Sequence, residues 1–145
     1  MSSSEHTFLK AFRGEFWGVL KWPQLDDVWS AVLADAENDW YVYALGEAPP
    51  SQPATAEQLA LFVREIDILL RHEHAEDYCG IVYVDNFKSP QFIKIFDPNQ
   101  LGSVCGSGGQ VILPGWLLCK IKPVDLSGAV SPTQTRKRWW RRLFH

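Results

Sequence analysis

At 145 residues, 46% hydrophobic and 21% charged, the chain is one ordinary domain's worth of globular protein and not a disordered one. Its net charge of -3 hides an asymmetry. Five of the 14 Lys+Arg fall in residues 136–142 and no acidic residue follows Asp125, leaving 9 basic against 17 acidic side chains in 1–135, a net of -8. Three scattered cysteines argue against a disulfide framework or a zinc cluster, and no apolar run is long enough to span a bilayer.

Reading along the chain, Phe8, Phe12 and Phe16 recur four apart, with Leu9, Val19 and Leu20 nearby. That spacing predicts a helix over 4–20, with Ser2 and Glu5 as its capping box. Gly14 and Gly18 weaken it, each by about 1 kcal/mol against Ala; their role is close packing against a neighbour. Pro23 opens a second helix, whose apolar face is Leu25, Val28, Trp29, Val32 and Leu33. Trp40–Leu45, aromatic and β-branched, predicts the first strand.

Three prolines make 46–53 a loop. Thr55 and Gln58 then form a capping box for the strongest helix, which buries Leu59, Phe62, Ile66, Leu69 and Leu70 and ends near His74. Strands follow at Gly80–Val84, Gln91–Phe96 and Trp116–Ile121, with a hairpin loop at 86–90, a turn at Asp97–Asn99 and a Gly/Ser-rich loop at 102–109. In the second of these strands Ile93 and Ile95 alternate with Lys94, so one face is buried and the other at least partly wet. No helix separates residues 84 and 116, so pairing there must be antiparallel. The expectation is an α+β domain over 1–126: about four mostly antiparallel strands in one sheet, with two to three helices packed on a face. Residues 127–134 read as a linker and 135–145 as a basic amphipathic tail.

The tail carries the strongest functional signal. At 100° per residue, Trp139, Trp140, Leu143 and Phe144 share one sector of about 140°. Arg138, Arg141, Arg142 and His145 fall opposite. Lys137 lies at the edge, and Arg136 falls on the apolar side, where its stem can snorkel. Such a helix suits an anionic bilayer interface, each basic residue adding about 1 kcal/mol. Over these eleven residues it resembles, in general form, the short amphipathic C-terminal targeting helices of some bacterial peripheral membrane proteins. The alternative is that the four apolar side chains fold back on the domain, leaving the arginines solvated or paired with the acidic body. A partner protein is a third reading. Basic side chains interleaved with tryptophan can also grip single-stranded nucleic acid, but the acidic body disfavours it.

Elsewhere the signals are thinner. Cys105 sits in the Gly/Ser loop, where a nucleophile would need His72 or His74 as base and the amides of 106–109 as an oxyanion site. The same loop lacks both the Gly-Lys-Ser/Thr ending of a P-loop and the dinucleotide glycine spacing. His72-Glu73-His74 invites a metal reading, but neighbours two apart do not share a helix face. Cys79 and Cys119 flank or lie within strands and should be buried and inert. Trp17, Trp22, Trp29, Trp40 and Trp116 are core candidates. No cofactor or metal site is expected. Reduced thiols and the lack of a signal region point to the cytoplasm, at the membrane's inner face if the tail binds lipid. The leading expectation is a non-enzymatic binding or adaptor protein whose tail, from Arg136 to Phe144, contacts an anionic membrane surface or an acidic partner. A small cysteine-dependent enzyme using Cys105 is the alternative.

Overall fold

A computed structural model describes residues 3–100, 113–126 and 134–144. Its elements are α1 (Ser3–Phe12), β1 (Trp17–Gly18), α2 (Trp22–Ala34), β2 (Tyr41–Ala44), α3 (Ala56–Glu73), β3 (Val82–Val84), β4 (Phe92–Ile95), a 3-10 turn (Pro98–Gln100), β5 (Trp116–Cys119) and α4 (Gln134–Phe144). The five strands form one antiparallel sheet in the order β1-β3-β4-β5-β2. This is the expected α+β class, with one more strand than the pattern suggested.

Two rows across the sheet show how it is buried. Val84, Ile93, Leu118 and Val42 stand in register and face α2, α3 and α4. The neighbouring row, Tyr83, Lys94, Leu117 and Tyr43, faces the side where α1 packs. Helices therefore cover both faces, not one. The face that Lys94 implied to be wet is roofed by Phe12 and Phe16, with the Lys94 Nζ 4.4 and 4.0 Å from their ring centroids. Burial lowers the Lys94 pKa, while the ring faces offer its charge a partner.

The first helix is shorter than its spacing predicts. At Phe12 the helix stops; the Gly14 N–H closes a tight turn on the Ala11 carbonyl at 3.1 Å. The chain then turns into β1. Phe8, Phe12 and Phe16 still converge on one ring, that of Phe92, at 5.7, 6.3 and 5.5 Å. Gly18 allows the Tyr83 ring to approach, since a Cβ there would sit 3.2 Å from Tyr83 Cε2.

Elsewhere local chemistry and structure agree. Pro23 occupies the first turn of α2, and the Gln24 side chain accepts from the Leu20 and Lys21 N–H groups at 3.1 and 2.9 Å. The Thr55–Gln58 box caps α3 reciprocally at 3.1 and 2.9 Å. All five predicted apolar residues of α3 are buried, each worth about 1.5–3 kcal/mol. Arg71 ties α3 to α2 through Asp26 at 2.7 Å and holds Asp67 at 2.9 Å. Cys79 and Cys119 are buried free thiols; burial pushes both pKa values up, that of Cys119 to about 12. Trp29, Trp40 and Trp116 are buried, whereas Trp17 is 51% exposed. The capping box at Ser2, the Gly/Ser loop with Cys105, and 127–133 of the linker lie outside the described residues; Gln134 already belongs to α4.

Candidate functional site

Helix α4 lies along α3, on the sheet face that the apolar row Val84–Val42 occupies. Its faces are sorted as the sequence predicts, and its apolar face is turned onto the body. Trp139 is 8% exposed and sits edge-on to both Phe62 (6.3 Å) and Trp116 (5.6 Å). Trp140 and Phe144 contact each other at 4.3 Å and meet Phe62 at 6.3 and 6.4 Å. Leu143 is partly buried with them.

Arg136, the one basic residue on the apolar side, fixes the register. Its side chain is 5% exposed and makes two forks. Nε and Nη2 donate to the two Asp97 oxygens at 3.0 and 2.9 Å. Nη1 and Nη2 donate to the two Glu73 oxygens at 2.9 and 2.7 Å. The guanidinium also lies 5.9 Å from the Trp116 ring. A planar donor fork suits this double recognition; a lysine could not reproduce it.

Each carboxylate is placed by its element. Glu73 is the last residue of α3, and Asp97 stands two residues past the end of β4, just before the 3-10 turn. Asp97, 6% exposed, also accepts the Asn99 N–H at 2.9 Å, which opens the 3-10 turn. Gly115 makes room for it: a Cβ there would stand 3.1 Å from the Asp97 Cβ. The hydrogen bonds from Arg136 hold the Glu73 carboxyl below its ordinary range despite partial burial. Burial works against the Arg136 charge, but the bonds to Glu73 and Asp97 outweigh it and raise its pKa.

The outer face is different. Arg138, Arg141 and Arg142 are exposed, and none makes an ion pair with a described residue. Lys137 is half-buried. Between α3 and α4 runs an open groove of about 480 Å³, walled by Ile68 and His72 on one side and Arg138 and Arg142 on the other.

The histidines diverge. His72 is exposed on that groove. His74 caps α3 and turns edge-on to Trp22 (6.3 Å) and Tyr78 (6.0 Å). Glu73, between them, is engaged by Arg136, and no group of three His, Cys, Asp or Glu poised for a metal occurs among the described residues. Cys105 lies outside the described residues.

Sequence reasoning found Arg136 on the apolar side but not what answers it. In the sequence, Glu73 belongs to the His72-Glu73-His74 pattern and Asp97 to a turn. The one available signal was the arginine itself, since a cation on a buried helix face requires counter-charges. No family model, curated protein or solved structure matches the chain.

Proposed function

We propose that this chain is a non-enzymatic binding or adaptor protein of the cytoplasm. Its docked helix α4 presents an arginine face to an anionic surface, on a membrane or on a partner. The observation that carries this reading is the division of α4: Trp139 and Arg136 face inward, while Arg138, Arg141 and Arg142 stand outward without an ion-pair partner among the described residues. In this arrangement contact is electrostatic, because the aromatic face that would enter a bilayer is engaged with Phe62 and Trp116. Binding should therefore be reversible and salt-sensitive.

Deleting the tail would uncover Phe62 and Trp116 and leave Glu73 and Asp97 without their cation, so charge reversal is the cleaner perturbation. Binding of the full chain to phosphatidylserine vesicles and to poly-glutamate is compared at low and physiological salt. With about 1 kcal/mol per basic residue, replacing Arg138, Arg141 and Arg142 by Glu should weaken binding by at least about 100-fold. Absence of binding to both probes at low salt would sink the proposal.

A further inference from the structure

The groove between α3 and α4 is an open recess with lining from both helices. Its apolar lining is Ile68, 57% exposed, with Leu69 and Trp139, 7% and 8% exposed. Its charges are unbalanced. Glu73 is committed to Arg136, and Glu65 pairs with Arg64 at 3.3 Å. Arg138 and Arg142, one helical turn apart on the opposite wall, hold no ion pair with a described residue. Residues four apart on a helix point the same way, so the two guanidiniums form one cationic rail beside an apolar trough. Its volume, about 480 Å³, is that of a site for a few side chains.

We infer that this groove takes a short acidic amphipathic segment of a partner protein, with an apolar side chain against Ile68 and Trp139 and carboxylates on Arg138 and Arg142. The inference rests on the proposed binding role of the outer face of α4 and assigns it a ligand class. Arginine suits the task because its fork binds carboxylate in two-point fashion. The apolar trough supplies what charge alone lacks, a preference for one segment over any acidic surface.

Arg141 separates this idea from general electrostatics, because it is exposed on the same helix but does not line the groove. The full chain is used to select binders from a displayed library of random 12-residue peptides, and the best peptide is titrated by fluorescence anisotropy. Selected peptides should pair Asp or Glu with large apolar residues. R138E, R142E and I68E should each weaken the peptide by at least about 10-fold, and R141E by less than about 2-fold. A library that yields no acidic binder overturns the inference. So does a peptide that loses as much to R141E as to R142E while ignoring I68E; the arginine-face reading would then stand without the groove. If no arginine variant alters binding to peptide, vesicle or poly-glutamate, both readings fall.

Discussion

Helices α1 and α4 cover opposite faces of one sheet, and they are held by different physics. Phe8, Phe12 and the adjoining Phe16 of the α1 segment crowd around Phe92, with the Lys94 ammonium among the rings. Many small contacts of that kind tolerate sliding by a few tenths of an ångström. Helix α4 combines aromatic contacts with a double fork from Arg136 to Glu73 and Asp97. That clasp fixes one register and depends on ionisation. Hydrophobic cover gives adhesion; a buried charge cluster gives orientation, at the cost of sensitivity to pH and to the loss of any member.

The largest effect should come from the clasp. Arg136→Ala leaves Asp97 buried without its cation and should cost about 3–5 kcal/mol. Trp139→Ala should cost a similar 3–5 kcal/mol, as should Phe8→Ala on the opposite face. Chemical denaturation measures all three. Hydrogen exchange separates them: the first two should release α4 amides selectively, and Phe8→Ala should not. Equal release of α4 in every variant would mean the two faces are not independent.

Acid should divide the faces next. The folded Glu73 pKa lies below its unfolded value, near 4.3. Its contribution is therefore fully present above that value and lost as pH falls through the depressed folded one. Tryptic cleavage within α4 cannot be run in acid, so exchange at stepped pH is the measurement. Protection of α4 should fall below about pH 4, with Glu73→Gln removing this dependence. A still smaller effect is expected at Thr55→Ala, which removes the α3 cap and should cost about 1 kcal/mol in denaturation without loosening α4 selectively. Smallest of all, charge reversal at Arg141 should shift stability by less than about 0.5 kcal/mol.

Local signals were legible wherever a residue's task is settled by its near neighbours. Thr55 and Gln58 announced α3, and the five apolar residues that follow lie where their spacing put them. The phenylalanine stripe was legible as a common destination but not as a path, because a turn at Gly14 delivers Phe16 to Phe92 as well as another helical turn would. β1 went unseen; two residues are too few to show an alternation. The tail's two faces could be sorted from eleven residues, but their direction could not. A bilayer and a protein core ask the same of an aromatic stripe, and the groups that anchor Arg136 come from 63 and 39 positions away.

The ends of the sheet carry a consequence for self-association. At one edge, β1 is two residues long, and its backbone bonding to the β3 side runs on only to Leu20. At the other, the stretch from Gly46 to Pro53 returns past β2, where the Ala54 N–H bonds the Trp40 carbonyl at 2.8 Å and Pro50 and Pro53 stand near Val42 and Phe144. Proline cannot extend a ladder, and a two-residue strand can barely seed one. A chain with this much β-branched and aromatic sequence would otherwise be prone to stack edge to edge. Among the described residues, both edges of the sheet are thus blunted against a visiting strand, and a second copy of the chain finds little there to extend.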